Sequence, residues 1–143
     1  MIKVKIKKIK GVKTPSYVHK GDAGVDLYAA EDYLIKPMER KLISTGIRMG
    51  IPYGYEGQIR PKSGLAMEHG ISFVNAIGTI DSSYRGEIKI PCINLNNREF
   101  KIEKNSKIAQ MVFNKVEEVV FEEVDNLDET TRGEGGFGST GLK

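Results

Sequence analysis

Asp81 and Tyr84 lie three positions apart in the stretch NAIGTIDSSYRGEI, residues 75–88, between two strand-like segments. A carboxylate in such a hairpin can accept a proton from water, and an exposed aspartate is ionised at neutral pH. An exposed tyrosine ring offers a flat face to a ligand. The alternative is an ordinary β-turn, because Asp and Ser are common at hairpin tips for purely structural reasons.

Lys62, Ser63 and Gly64 form a second candidate site within RPKSGLA, residues 60–66. The ammonium group, the hydroxyl group and the backbone N–H groups of a following short helix could together hold an anion such as a phosphate. The alternative is a strand end followed by a serine helix cap.

Two polar side chains interrupt apolar, strand-like segments. Asp26 lies within AGVDLYAA, residues 23–30, and Gln110 lies within KNSKIAQMVF, residues 104–113. An inward carboxylate must be paired or hydrogen-bonded, so Asp26 is either a satisfied structural residue or part of a site. By alternation Gln110 shares a face with Ile108 and Val112, and its amide needs a partner, either a ligand phosphate or a neighbouring backbone group.

The stretch RGEGGFGSTG, residues 132–141, contains five glycines. It comes close to the phosphate-loop pattern G-x-x-x-x-G-K-[ST], but no lysine follows Gly138, so that interpretation fails. A disordered tail and a flap that closes over a ligand both remain open. Arg132 could donate paired hydrogen bonds to a phosphate and Phe137 could stack on a base, with further hydroxyl donors from Ser139 and Thr140.

The elements that must position these residues are mostly β-strands. Period-two alternation predicts strands in seven further segments: KVKIKKI, KLISTGIRMGI, EGQIRP, ISFVNA, GEIKIPCINL, KIAQMVF and EEVVFEEV. The first would be half-buried with a lysine-covered outer face, and Pro91 would mark a strand edge or a bulge. A short helix is predicted over residues 64–69. This pattern is typical of an all-β barrel or sandwich of jelly-roll type.

The composition changes after Val124, where the chain becomes polar and rich in glycine. We therefore expect a β-barrel domain over residues 1–124 and a flexible C-terminal arm over residues 125–143.

Bulk composition excludes several classes of function. The net charge of +3 suits a small anionic ligand but is too low for a nucleic-acid partner. The single cysteine, Cys92, excludes an internal disulfide, and with His19 and His69 it makes too small a set for a structural zinc site. Neither a signal peptide nor a long apolar span is recognisable, so we expect a cytoplasmic protein without membrane contact.

Taken in order, the five stretches resemble the five motifs of the homotrimeric deoxyuridine triphosphate nucleotidohydrolases, the dUTPases, over residues 23–141. The resemblance implies a jelly-roll-like β-barrel and a homotrimer with three active sites, each lined by motifs from all three chains. It also implies hydrolysis of dUTP to dUMP and pyrophosphate with Mg2+, which limits uracil in DNA and supplies dUMP for dTTP synthesis.

The resemblance implies a role for each residue of the third motif. Asp81 would orient and deprotonate the water that attacks the α-phosphorus, in line with the leaving group. Tyr84 would stack under the deoxyribose and leave no room for a 2′-hydroxyl. The hairpin would read uracil through its backbone groups and one amide side chain, using Asn75, Gly78, Thr79 and Ile80.

The other motifs would bind the triphosphate. Lys62, Ser63 and Gly64 would hold the phosphates near the leaving group, and Gln110 would bind the α-phosphate region. Phe137 would cover the uracil ring. The arm, completing a neighbouring subunit's site, would bind the γ-phosphate through Arg132, Gly138, Ser139 and Thr140. Mg2+ would be held by the triphosphate and waters without a direct protein ligand, and Asp26 would support the site.

Two departures from the family pattern stand out. Lysine occupies position 62, where the family most often has arginine. The planar guanidinium group, which can donate two parallel hydrogen bonds, is thus replaced by a compact ammonium group. Asn105, Ser106 and Lys107 replace a usual Gly-Asp-Arg run, which leaves their role open. The rival interpretations are a dCTP deaminase on a related barrel, and a β-barrel binding module that has lost catalysis.

Overall fold

The computed structural model describes residues 1–141; Leu142 and Lys143, the end of the predicted arm, lie outside the described residues. The regular elements of the described residues are eleven short strands and one helix, joined by turns and loops. The elements are β1 (Lys5–Lys8), β2 (Gly24–Tyr28), β3 (Tyr33–Ile35), β4 (Arg40–Ser44), β5 (Ile47–Gly50), β6 (Tyr55–Arg60), α1 (Ser63–His69), β7 (Ile71–Phe73), β8 (Gly78–Ile80), β9 (Lys89–Asn94), β10 (Phe100–Ile102) and β11 (Lys107–Lys115).

The strands pair antiparallel in four sheets. The largest has the order β2-β11-β6-β8, a three-stranded sheet has the order β4-β9-β7, and two-stranded sheets join β1 to β5 and β10 to β3. The expected all-β, jelly-roll-like fold is confirmed. Among residues 1–141, however, the pairing does not close the strands into one continuous barrel.

The core is filled by aliphatic side chains that alternate along the strands. Ile43, Ile47 and Ile90 are fully buried, and each such side chain contributes about 1.5–3 kcal/mol by leaving water. Cys92 is buried among them, and burial raises the pKa of its thiol to about 12. The thiol therefore stays protonated and acts as a small apolar group.

The helix begins one residue earlier than expected. Ser63 is its first residue and Lys62, with extended backbone, occupies the capping position, where it makes no side-chain cap bond. The serine cap considered from the sequence is therefore wrong. The helix ends at Gly70, which has a left-handed φ of +65° and donates its N–H to Ala66.

Strand β11 organises the large sheet because it pairs with both β2 and β6. Its register shifts between Lys107 and Ala109, which places a bulge at Ile108. Ile108 and Ala109 are consequently both buried, and Gln110 shares its face with Val112 and not with Ile108. The strict alternation expected from the sequence is wrong at this point.

Three other expectations are wrong. All four residues of β1 are exposed in the single chain, so this strand is not half-buried. Pro91 lies in β9, the middle strand of its sheet, at the point where the pairing with β7 ends. Residues 117–124 form no strand: Lys115 lies opposite Tyr55, the first residue of β6, so β6 offers them no partner.

No helix within residues 1–141 combines the length and the apolar character needed to cross a bilayer.

Candidate active site

The turn of residues 81–84 presents a carboxylate and an aromatic ring side by side. It follows β8, which pairs with β6 in the register Gly78 to Ile59 and Ile80 to Gly57. The Tyr84 N–H donates to the Asp81 carbonyl at 3.1 Å and closes the turn. Both side chains are exposed and line one cleft of about 310 Å³, whose floor comes from Leu42, Thr79, Ile80, Glu87, Ile88 and Lys89.

Gly78 is the first residue of β8 and packs against β6 and the preceding loop. Gly78 is buried, and a Cβ atom there would lie 3.3 Å from Asn75 Nδ2 and 3.5 Å from Ile59 Cβ. Asn75 and Thr79 remain exposed on either side of it. The loop and strand therefore hold the predicted base-reading residues on one unit that leads directly into the turn of residues 81–84.

Asp26 is the centre of a second group, on the adjacent strands of the large sheet. Its side chain is 8% exposed, and its two oxygens accept from Lys62 Nζ at 2.6 Å and from Lys107 Nζ at 2.7 Å. Burial alone would raise the pKa of Asp26, but the hydrogen bonds from Lys107 and Lys62 outweigh it and hold that pKa below 3.8. Asp26 is thus a fully satisfied carboxylate that fixes two cations.

Gln110 joins this group through the strand register. It lies opposite Asp26 on β2 and opposite Arg60 on β6, and its Nε2 donates to the Pro61 carbonyl at 3.2 Å. Of the two partners that the sequence left open, the structure shows the backbone group. We call Asp26, Lys62, Lys107 and Gln110 the Asp26 cluster; it lines a polar cleft of about 340 Å³ together with Val18, His19, Asp22, Ala23 and Gly24.

Ser63 and Gly64 lie beside the Asp26 cluster at the start of α1, and both are exposed. A Cβ atom at Gly64 would meet no other atom within 4 Å. Packing within the chain therefore does not demand a glycine at this position.

Lys107 is the residue that sequence reasoning missed. Asn105 begins its run with a φ of +64°, a conformation that glycine adopts freely and that asparagine tolerates better than most residues. The turn then delivers Lys107 to β11, where it pairs with Tyr28 and reaches back to Asp26. The signal in the sequence was the charge of Lys107, which acquires a meaning only through the pairing of β11 with β2.

The described part of the arm, residues 125–141, is exposed along most of its length. Its hydrogen bonds are local: Arg132 Nε donates to the Gly135 carbonyl at 2.8 Å, and Ser139 N–H donates to Gly136 at 3.0 Å. Phe137 is fully exposed and has a left-handed φ of +49°, next to Gly138 at +87°. The residues predicted to bind a ligand are therefore near one another in the arm and turned towards solvent.

Comparison with known proteins decides the family. The model of the dUTPase family matches residues 10–141. The chain belongs to the dUTPase family. It is 59% identical over 127 residues to a deoxyuridine 5'-triphosphate nucleotidohydrolase of Clostridium kluyveri, covering 89% of each chain. It is 52% identical over 142 residues to the enzyme of the same name from Finegoldia magna, covering 98% of this chain and 99% of that one.

The fold is also that of solved dUTPases. A structure of the Staphylococcus bacteriophage 80alpha dUTPase with dUPNHPP superposes with a TM-score of 0.92 at 26% identity, covering 99% of this chain and 100% of that one. The membership expected from the five motifs is confirmed.

Within a single chain, the residues nominated from the dUTPase motifs fall into three separate groups. The cleft at Asp81 and Tyr84 shares no lining residue with the cleft of the Asp26 cluster. The arm residues form a third group. Within the described residues, the two clefts and the arm are therefore three groups that share no lining residue.

Proposed function

We propose that this chain hydrolyses dUTP to dUMP and pyrophosphate. The observation that carries the proposal is the cleft that Asp81 and Tyr84 share, because a carboxylate there could accept a proton from water and an aromatic ring could contact a sugar. Family membership over residues 10–141 and the names of relatives at 52–59% identity support the same activity. The reaction removes dUTP, a source of uracil in DNA, and supplies dUMP for dTTP synthesis.

The proposed chemistry is an in-line displacement at the α-phosphorus. The Asp81 carboxylate orients a water molecule and accepts its proton as the water oxygen bonds to phosphorus. The bond from the α-phosphorus to the bridging oxygen breaks, and pyrophosphate leaves with that oxygen. The turn of residues 81–84 is already closed by a backbone hydrogen bond, so it contributes mainly position.

Discrimination follows from shape and hydrogen bonding. The Tyr84 ring lies under the deoxyribose and blocks a 2′-hydroxyl. The loop before β8 presents backbone groups and the Asn75 amide to uracil; cytosine reverses donor and acceptor at its 4-position and would leave polar groups unpaired. A thymine methyl group would collide with the loop of residues 75–78.

The Asp26 cluster is the proposed site for the phosphates. Asp26 holds two ammonium groups side by side, both of which could donate to an anion, and the exposed Ser63 hydroxyl follows Lys62 at the start of α1. Lys62 takes the place of the usual family arginine, and Gln110 contributes its amide to the α-phosphate region. Asp26 supports the site by holding both lysines.

Mg2+ is the proposed metal, and the donor groups present indicate how it is held. Within residues 1–141 no group of three or more His, Cys, Asp or Glu side chains could form a protein cage. The carboxylate of the proposed phosphate site, Asp26, already accepts hydrogen bonds from two lysines. The triphosphate oxygens and waters would hold the ion, which would supply neutralisation of the phosphate charge.

The separation of the three groups supports a site shared between chains. We propose a homotrimer in which the cleft of one chain faces the Asp26 cluster of a second. The barrel-like body, residues 1–124, carries both of these groups. The arm, residues 125–143, would complete a neighbouring chain's site, with Arg132, Gly138, Ser139 and Thr140 on the γ-phosphate and Phe137 over the base.

The test is pyrophosphate release from dUTP with Mg2+, compared with dTTP, dCTP and UTP. We expect rapid release from dUTP and far slower release from the other three. Ammonia release from dCTP would assign the chain to the deaminases. Nucleotide binding without turnover of any of the four would indicate a binding module. Light scattering of the same sample tests the trimer.

A further inference from the structure

Glu87 connects the turn of residues 81–84 to another part of the fold. Its Oε1 accepts hydrogen bonds from the Ser44 hydroxyl and from the Gly46 N–H, the latter at 2.9 Å. These two donors lie at the connection between β4 and β5, more than 40 residues away in sequence. Lys89 Nζ is 3.7 Å from Oε2, too far for a strong bond, so the connection is the main attachment of the carboxylate.

The backbone of Glu87 holds the Tyr84 ring. The Tyr84 hydroxyl donates to the Glu87 carbonyl at 3.0 Å. Gly86 lies against the same ring: a Cβ atom there would overlap the hydroxyl and lie 2.5 Å from Cζ and 2.9 Å from Cε2. The ring position therefore depends on residues 86 and 87 as well as on Tyr84.

The connection between β4 and β5 is a firm anchor. Thr45 Oγ1 donates to the Ile88 carbonyl at 2.6 Å, and Ile88 N–H donates to the Ile47 carbonyl at 2.8 Å. Gly46 has a φ of +66°, and a Cβ atom there would lie 2.7 Å from Ile9 Cγ1. These contacts leave little freedom for movement of the donors that Glu87 uses.

The charge of Glu87 suits this attachment. Burial disfavours its ionised form, but the bonds from Ser44 and Gly46 outweigh burial and lower its pKa below 4.5. The side chain is 25% exposed, and it also lines the cleft of Asp81 and Tyr84. Its position at that cleft links the attachment to substrate selection.

We propose that Glu87 is a positioning residue that fixes the Tyr84 ring and thereby sets the discrimination against a 2′-hydroxyl group. The inference rests on the proposed function, because it assigns the ring to the sugar of the nucleotide. Without its side-chain attachment, the segment of residues 84–87 can shift, and the ring then leaves room for the additional oxygen of a ribose.

The test compares Glu87→Ala with Glu87→Gln. The alanine variant should raise kcat/KM for UTP relative to dUTP about 10-fold, a size typical of a small steric change in a pocket. Glutamine keeps an oxygen that accepts from Ser44 and Gly46, so Glu87→Gln should restore most of the discrimination. A merely structural role would lower turnover of both nucleotides alike and leave their ratio unchanged, which would overturn the proposal.

Ser44→Ala tests the same attachment from the other side. It removes one of the two donors and should shift the ratio in the same direction by about 3-fold, so the proposal remains testable even if Glu87→Ala does not fold. An unchanged ratio in a folded Ser44→Ala variant, together with an unchanged ratio or failure to fold in Glu87→Ala, would contradict the attachment.

A readout without turnover separates this inference from the proposed function. Calorimetry with the imido analogues of dUTP and UTP measures the discrimination as a ratio of dissociation constants. A crystal structure of Glu87→Ala without nucleotide shows the position of the Tyr84 ring. If wild-type protein did not hydrolyse dUTP, the proposed function would fail, while a displaced ring in the variant would still support the positioning role. A ring that stayed in place would overturn it.

Discussion

The turn of residues 81–84 and the arm of residues 125–141 both carry side chains suited to a nucleotide, but they are held in different ways. The turn follows a paired strand, is closed by its own hydrogen bond and has Tyr84 bonded to the Glu87 carbonyl. The arm has only local hydrogen bonds among its glycines, and Phe137 is fully exposed.

The difference indicates a division of labour. Groups that must meet a reacting atom within a few tenths of an ångström are placed on a rigid part of the fold. Groups that exclude water can be placed on a segment whose contacts form only with the ligand, because the cost of ordering it is offset at that moment. Variants of the turn, the arm and the Asp26 cluster test this difference between fixed and mobile groups.

Asp81→Asn should have the largest effect. The amide keeps the shape of the side chain but cannot accept the proton of the attacking water, so we expect kcat to fall about 1000-fold. Binding of a non-hydrolysable dUTP analogue, measured by calorimetry, should change by no more than about 3-fold, since the turn itself is intact. The matched change in the arm, Asp128→Asn, should leave kcat unaltered; retained activity in Asp81→Asn would remove this residue from the mechanism.

A chain that ends at Thr131 should lose about 100-fold in kcat/KM for dUTP, because the groups that close the site are gone. Its melting temperature and its oligomeric state by light scattering should equal those of the full chain, since the described part of the deleted segment, residues 132–141, is largely exposed. Full activity in the shortened chain would contradict the role of the arm.

Asp26→Asn should destabilise the body by about 2 kcal/mol at pH 7, because two lysines lose their charged partner. The pKa of Asp26 in the folded state lies below 3.8, so its contribution is present above that pH and is lost as the pH falls through the lowered value.

Urea unfolding of wild type and Asp26→Asn should therefore converge in strongly acidic solution. Asp128→Asn, again the control in the arm, should change the free energy of unfolding by less than about 0.5 kcal/mol. A constant difference between wild type and Asp26→Asn at every pH would show that Asp26 is not the titrating group.

Lys62→Arg should have the smallest effect. A guanidinium group can bind two phosphate oxygens while it still reaches Asp26, so KM for dUTP should fall about 2- to 3-fold. Lys101→Arg, an exposed lysine of β10, is the control and should change nothing. A rise in KM for Lys62→Arg would contradict this expectation and would mean that the Asp26 cluster accommodates the compact ammonium group of lysine better than a guanidinium group.

Much of the fold could be predicted from the sequence. The prediction succeeded only where a segment of strand-like residues also has a neighbouring strand to pair with. Strands β6 and β9 alternate clearly and were recognisable. Strand β11 was recognisable as well, although a bulge at Ile108 breaks its alternation. Strands β3, β8 and β10 have three residues each, too few for a period to be visible. Residues 117–124 contain the β-forming run Val119, Val120 and Phe121 but form no strand, because a strand needs a neighbour as well as suitable residues.

The site divides in the same way. Asp81, Tyr84 and Phe137 could be nominated from local sequence, because the residue types themselves suggest the chemistry. The contact of Lys107 with Asp26 could not, since it depends on the register and the bulge of β11. The attachment of Glu87 to Ser44 was equally invisible, because it joins residues that are distant in the chain.

A crystal structure of the protein with a non-hydrolysable dUTP analogue and Mg2+ would test the proposed active site most directly. We predict the deoxyribose against Tyr84, a water held by Asp81 in line with the α-phosphorus, and Phe137 over the uracil ring. A nucleotide bound away from the turn of residues 81–84 would contradict the proposal that this turn binds the sugar and activates the attacking water.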